Sequence, residues 1–134
     1  MDYKRYLNHS WRHFLSTPFI YFQIIPLIFI DLCVEIYHHI CFPLYGLPLI
    51  KRNQYIRIDR HKLQYLSLFD KVNCAYCGYA NGLVRYLTAI AAATEKYWCG
   101  IKHQSGGDFI NQEHQKNFLD YGNEEQYQKF MNNK

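Results

Sequence analysis

The sequence predicts a mainly α-helical fold, with a hydrophobic N-terminal helix followed by a small helical domain organised around a Cys3His metal site. Three observations lead to this prediction. Residues 18–30 form a nearly continuous apolar run. Apolar side chains recur at i, i+3 and i+4 from Leu83 to Trp98, which is the period of an amphipathic helix. Three cysteines and a histidine occur in two closely spaced pairs, as metal ligands often do.

The length of 134 residues suits a single small domain with an additional N-terminal element. We divide the chain into a membrane-associated hydrophobic segment, residues 1–50, and a small helical domain, residues 51–134. The second part carries the ligand pairs and ends in a polar strap. Within that strap, Asn123-Glu-Glu-Gln126 resembles a capping box and predicts a short helix.

The ligand pairs are Cys74-Ala-Tyr-Cys77 and Cys99-Gly-Ile-Lys-His103. Three thiolates and one imidazole are a closed tetrahedral set for zinc, and sulfur-rich tetrahedral sites also accept iron. We therefore expect Cys74, Cys77, Cys99 and His103 to hold a structural zinc, with iron as the alternative. Two explanations need no metal: buried thiols beside a surface histidine, or a redox-active dithiol at Cys74 and Cys77.

A single four-ligand site requires a particular path for the chain. A helix over Leu83–Trp98 is roughly 24 Å long, so residues 78–82 would have to run back along it. Five or six extended residues reach up to about 20 Å, which makes this path short but feasible. Gly78, Asn81 and Gly82 are residue types that allow the turns. If the helix instead continued upstream through Asn81, the two pairs would lie at its opposite ends.

The apolar N-terminal segment predicts association with a membrane. Gln23 and Pro26 interrupt it, and Asp31 at the centre of a bilayer would cost about 2.5–3.5 kcal/mol. We therefore expect a helix embedded in the membrane or lying at its interface rather than a simple span. The alternative is the buried helix of a soluble bundle. Two prolines and a glycine within residues 43–48 predict the end of this helix.

The positive charge is concentrated around the apolar segment. Residues 1–62 contain eight Lys and Arg against four Asp and Glu, whereas residues 63–134 contain seven of each. The basic residues that bracket the segment are Lys4, Arg5, Arg12, Lys51, Arg52, Arg57, Arg60 and Lys62. This distribution favours anionic lipid, so we expect a membrane surface or a membrane protein as partner and no nucleic acid.

The cysteine count and the N-terminal composition indicate the compartment. Five cysteines are an odd number, and no secretory leader is evident, which favours a reducing compartment with free or metal-bound thiols. The slightly larger basic count after the apolar segment places the metal site on the cytoplasmic side.

A second group of potential ligands follows the apolar run. On a helix, Asp31 and Glu35 are i, i+4 neighbours, and Glu35 and His38 are i, i+3 neighbours. With His39, these residues could bind a second metal, or they could form a polar face on which Glu35 and the histidines pair locally.

The two ligand pairs also carry a resemblance. Cys74-Ala-Tyr-Cys-Gly-Tyr-Ala-Asn-Gly82 and Thr94-Glu-Lys-Tyr-Trp-Cys-Gly-Ile-Lys-His103 resemble the signature of small uncharacterised bacterial proteins. Cys41–Gly46 and Phe118–Gly122 resemble the same group. The resemblance implies a bacterial origin and a self-contained small protein, and it implies no activity.

The function predicted from these features is a membrane-associated, metal-binding protein with a scaffold or accessory role. The alternative is a small redox enzyme or electron carrier that uses iron or a dithiol at the same cysteines. No motif identifies a reaction or a catalytic residue.

Overall fold

The computed structural model of the chain describes residues 10–132, except for the side chains of Ser10 and His13. The basic residues Lys4 and Arg5 lie outside this range. The described residues form four α-helices, Ser10–Phe22 (α1), Ile24–Leu44 (α2), Leu68–Trp98 (α3) and Glu124–Asn132 (α4), with short 3-10 turns between them. The mainly helical class and the apolar N-terminal helix are confirmed.

The contacts divide the chain into two compact units, Met1–Tyr86 (unit 1) and Leu87–Lys134 (unit 2), and α3 contributes to both. The division at residue 50 inferred from the sequence concerns membrane contact, which these units do not address, and it stays a prediction.

Helices α1 and α2 form one apolar stretch that is interrupted at Gln23. Pro26 has no N–H to donate to the Phe22 carbonyl, so the regular helical hydrogen-bond ladder fails at this point. The Gln23 N–H instead bonds to the Ile20 carbonyl at 3.2 Å, a tighter turn than an α-helix makes. Helix α2 then continues to Leu44, and the turn after it contains Gly46 at a φ of +69°.

Unit 1 packs α1 and α2 against the first part of α3. The Tyr76 hydroxyl donates to the Ile20 carbonyl at 2.7 Å, and the Tyr21 hydroxyl donates to the Asn73 side chain. Phe42, Leu83 and Tyr86 are almost fully buried. Their burial makes the contact between α2 and α3 the apolar core of this unit.

Gly78 and Gly82 lie inside α3 and not in a turn. They form a G-x-x-x-G face against which the segment Tyr55–Arg57 passes closely. A Cβ atom at Gly82 would lie 2.8 Å from the Tyr55 carbonyl oxygen, and one at Gly78 would lie 2.9 Å from the Arg57 carbonyl oxygen. The helix therefore accepts two residues of low helix propensity because only glycine leaves room for the neighbouring backbone.

Unit 2 surrounds the end of α3. Gly100, at a φ of +62°, terminates the helix, and the Cys99 and Gly100 N–H groups both bond to the Glu95 carbonyl. A parallel bridge joins Ile101 to Leu119. The Asn123 side chain accepts a hydrogen bond from the Gln126 N–H at 3.0 Å, so the predicted cap of α4 is confirmed. The Gln126 side chain, however, accepts from Asp120 and not from Asn123.

We predict that Gly82→Ala destabilises unit 1. At an open helical position this change would add about 1 kcal/mol of stability, since alanine has the higher helix propensity. Here the new Cβ would lie 2.8 Å from backbone atoms of Tyr55 and Ile56, so the backbone of one of the two segments would have to shift. Thermal unfolding followed by circular dichroism measures the effect.

The matched control for that variant is Ala91→Gly, at an exposed position of the same helix. It should cost about 1 kcal/mol from propensity alone. A Gly82→Ala variant that melts above the wild type would contradict the close approach of residues 55–57.

Candidate functional site

The four predicted zinc ligands occupy different parts of the chain. Cys74 and Cys77 lie within α3, whereas Cys99 and His103 follow its last residue, Trp98. Residues 78–82, which a single site needs as a return path, are helical. The part of α3 from Cys77 to Trp98 is roughly 32 Å long at the usual helical rise. The structure therefore does not provide the chain path on which the four-ligand prediction depended, and the Cys3His site stays a prediction.

The surroundings of the second pair are polar. All five cysteines are free, with Cys77 and Cys99 exposed. His103 Nε2 lies 3.8 Å from a Glu95 carboxylate oxygen, and the imidazole packs against Phe109. The Glu95 carboxylate also accepts hydrogen bonds from His114 at 2.6 Å and from Gln115 at 2.7 Å. The bond from His114 is the main reason that the pKa of Glu95 lies below its ordinary value.

The most developed polar site in unit 1 is a cluster around Arg52, which we call the Arg52 cluster (Asp31, Glu35, Arg52 and Tyr79). The Arg52 guanidinium binds both Asp31 carboxylate oxygens, with Nη2–Oδ2 at 2.6 Å, and it reaches Glu35 Oε1 at 2.7 Å. The Tyr79 hydroxyl donates to Asp31 Oδ2 at 2.8 Å. Burial and the Asp31 carboxylate raise the pKa of Tyr79 to about 12, so this phenol stays a donor at neutral pH.

This cluster corrects the role assigned to Arg52 from the sequence. Arg52 was counted among the basic residues attracted to lipid, but its charge is neutralised within the protein by two carboxylates of α2. A bidentate guanidinium–carboxylate pair, with two parallel hydrogen bonds, is among the stronger polar contacts that proteins make. The sequence did contain a feature that predicts this pairing, because acidic residues within an apolar helix require a basic partner nearby.

His38 forms a second polar contact beside the cluster. Its side chain is only 1% exposed. The Ile50 N–H donates to Nε2 at 3.0 Å, and Nδ1 lies 3.0 Å from the Tyr86 hydroxyl oxygen. Because Nε2 accepts a hydrogen bond, the neutral ring carries its hydrogen on Nδ1. The Nδ1–H group therefore donates a hydrogen bond to the Tyr86 hydroxyl oxygen. Burial and the Glu35 carboxylate, which accepts a bond from the Tyr86 phenol, raise the pKa of Tyr86 to about 12.

Glu35, His38 and His39 form the one group of three potential ligands within 4.8 Å of one another in the described part of the chain. Two features oppose a cation there. The Glu35 carboxylate is already paired with the positively charged Arg52 guanidinium. A metal on His38 Nδ1 would need that nitrogen deprotonated while Nε2 still accepts from Ile50, which requires a doubly deprotonated ring. The local pairing is present, since His39 Nδ1 lies 3.1 Å from Glu35 Oε2.

The polarity of α2 is inverted relative to that of a water-soluble surface helix. The residues facing the rest of unit 1 include Asp31, Glu35 and His38, all of which are buried or half-buried. The same helix also exposes a wide apolar surface, consisting of Ile25, Ile28, Phe29, Ile30, Leu32, Ile36, Ile40 and Leu44. In α1, the exposed apolar side chains are Trp11, Phe14, Leu15, Phe19, Ile20 and Phe22. We call the two sets together the apolar face.

One helical stretch of the described residues, Phe14–Leu44, is long and apolar enough to cross a membrane. Core helices of soluble proteins meet the same criterion, but they are buried. No part of the most apolar window of this stretch is buried inside the protein.

Comparison with known proteins gives no relative: no family model, curated protein or solved structure matches the chain.

We predict that Arg52→Met destabilises unit 1 by about 1–3 kcal/mol. Removing one partner of a fully buried ion pair costs about 3–5 kcal/mol because the other charge is left uncompensated, and this value is reduced because the Arg52 side chain is 37% exposed. Denaturant unfolding in detergent measures the loss.

The matched control for Arg52→Met is Lys51→Met, which removes the same charge from the exposed neighbouring residue. It should leave stability within about 0.5 kcal/mol of the wild type. Equal effects of the two substitutions would contradict the role of the Arg52 cluster.

The metal content of the protein tests the four-ligand prediction. If both ligand pairs hold one zinc, the chain purified without an affinity tag should contain one zinc that is lost when either Cys74 or Cys99 is replaced. Elemental analysis of the wild type, Cys74→Ser and Cys99→Ser tests this, and a visible spectrum distinguishes iron from zinc. One zinc per chain that is lost in both variants would support the four-ligand site and require α3 to break near residues 78–82.

Proposed function

We propose that the protein is a membrane-associated helical scaffold whose apolar face lies in lipid and whose remaining surface is presented to a membrane partner. The observation that carries this proposal is the inverted polarity of α2. Burying each exposed Leu, Ile or Phe side chain would stabilise the system by about 1.5–3 kcal/mol, so water is a poor environment for this surface. A contiguous apolar patch of this extent is typical of a lipid or protein contact.

The Arg52 cluster supports the proposal because it removes the main objection to placing α2 in a membrane. An isolated Asp31 would be costly there. With Arg52 and Tyr79 bound to its carboxylate, the acidic side chain is neutralised before it meets lipid. The same contacts favour α2 as a permanent part of the fold over a removable leader, since Asp31, Glu35 and His38 hold the segment from Ile50 to Arg52.

A helix in the plane of the interface fits the distribution of polar groups better than a simple span. Phe14–Leu44 is centred close to Asp31, so a perpendicular span would place Arg52 and Tyr79 at the same depth as Asp31. In an interfacial arrangement the apolar face enters the acyl region and the Arg52 cluster stays near the headgroups. The cytoplasmic orientation stays a prediction.

The structural zinc and the redox alternative are weaker proposals. Zinc at Cys74, Cys77, Cys99 and His103 would need a different path for residues 78–82. A dithiol at Cys74 and Cys77 is favoured by the exposure of Cys77. Side chains at i and i+3 of a helix, however, have Cβ atoms about 5–6 Å apart, whereas a disulfide needs about 3.5–4.5 Å. Forming that bond would distort α3.

The scaffold proposal predicts that the protein stays in the membrane pellet after cell lysis, both in high salt and in alkaline carbonate. Attachment by charge alone would be released by salt, because a Debye length of about 3 Å at 1 M screens surface charges. The variant Ile25→Lys/Phe29→Lys places two charges on the apolar face and should shift the protein to the soluble fraction.

The control for membrane partitioning is Ile110→Lys, at a highly exposed apolar residue of unit 2. It should partition like the wild type. A wild-type protein that is soluble and monomeric after lysis would overturn the proposal.

A further inference from the structure

Unit 1 contains a cleft between the segment that follows Tyr55 and the G-x-x-x-G face of α3. Its volume is about 270 Å³. Three arginines line it: Arg57 and Arg60 from the segment, and Arg85 from α3. The remaining walls include Tyr55 and Asn81 and the two helix glycines. We call this the arginine cleft.

The charge of the arginine cleft is not balanced within the described residues. No acidic side chain lines it. Arg57, Arg60 and Arg85 form no ion pair with any described residue, in contrast to Arg52, which binds two carboxylates. Three like charges around one small cavity repel one another, and a bound anion would relieve that repulsion.

The close approach of the backbone helps to form the cleft. Because Gly78 and Gly82 have no side chains, the carbonyl groups of Arg57 and Tyr55 lie directly against α3. This contact carries Arg57 and Arg60 to the side of the helix that holds Arg85. The packing that fixes the segment is therefore also what brings the three arginine residues to one cleft.

We propose that the arginine cleft binds a phosphate group. A guanidinium group presents paired N–H donors that match an oxyanion, and arginine is the side chain best suited to this contact. A phosphate monoester carries a charge of about −1.5 to −2 at neutral pH, which balances three cations better than a single carboxylate does. The phosphate group can belong to a soluble metabolite or to a lipid headgroup, and the cleft would hold it whether or not α1 and α2 contact lipid.

The first arm of the test uses inorganic phosphate with the full-length protein in nonionic detergent, measured by isothermal titration calorimetry. Arg85→Gln should weaken binding by about tenfold, as expected for loss of a charge-assisted contact. Lys96→Gln, which removes one charge from an exposed residue of α3 outside the cleft, should change the dissociation constant by less than about twofold. Arg60→Gln serves as a second variant if Arg85→Gln does not fold.

The second arm uses phosphatidylcholine vesicles that contain phosphatidic acid, compared with vesicles given the same surface charge by oleic acid. Preference for phosphatidic acid that Arg85→Gln abolishes, without binding of inorganic phosphate, would assign the site to a lipid headgroup. Binding of inorganic phosphate without a vesicle preference would assign it to a soluble ligand. Failure of both arms, or equal losses in Arg85→Gln and Lys96→Gln, would overturn the proposal.

Loss of phosphate binding is distinguishable from failure of membrane attachment. Vesicles of phosphatidylcholine alone report on the apolar face, and inorganic phosphate in detergent reports on the arginine cleft. A protein that binds neutral vesicles, but binds no inorganic phosphate and shows no preference for phosphatidic acid, would overturn the cleft proposal and leave the scaffold proposal standing.

Discussion

The contact of Arg52 with the two carboxylates of α2 is the interaction on which the rest of unit 1 depends. The guanidinium group pairs with both Asp31 and Glu35 and holds the chain after residue 50 beside α2. The bond from the Ile50 N–H to His38 strengthens the same attachment. With that segment fixed, Tyr55–Arg57 can lie against the glycine face of α3. A single guanidinium group thus links the apolar helix, the connecting segment and the central helix.

The same contact has a consequence for the environment of the protein. Because the acidic side chains of α2 point inward, the outward side of the helix is left almost entirely apolar. A protein folded in water gains stability by the opposite arrangement, with apolar groups inside. In lipid the requirement is that polar groups be satisfied within the protein, and the Arg52 cluster meets it. Internal pairing and an apolar outer surface are therefore two aspects of one arrangement.

The sequence was sufficient for the helical class, the apolar segment, its interruption near Gln23 and the cap of α4, since each depends on local periodicity or on a short motif. It was insufficient wherever the outcome depended on distant partners. Gly78 and Gly82 were interpreted as turn residues, because propensity alone cannot show that another backbone passes against a helix. Arg52 was counted among the basic residues attracted to anionic lipid, because its pairing with Asp31 is set by packing across 21 residues. The spacing of Cys74 and Cys77 likewise cannot distinguish a metal-binding turn from a helix, because both can contain two cysteines three residues apart.

The most direct test of the inverted polarity of α2 is a nitroxide spin label on Cys33, an exposed residue of this helix. The other four cysteines are replaced by alanine, and the protein is reconstituted in phosphatidylcholine vesicles. Collision rates with oxygen, which concentrates in lipid, are compared with those of a water-soluble nickel chelate. If this side of α2 lies in lipid, the label should collide frequently with oxygen and rarely with the chelate. A label that meets the chelate freely and oxygen rarely would place this side of α2 in water and contradict the membrane contact of the apolar face.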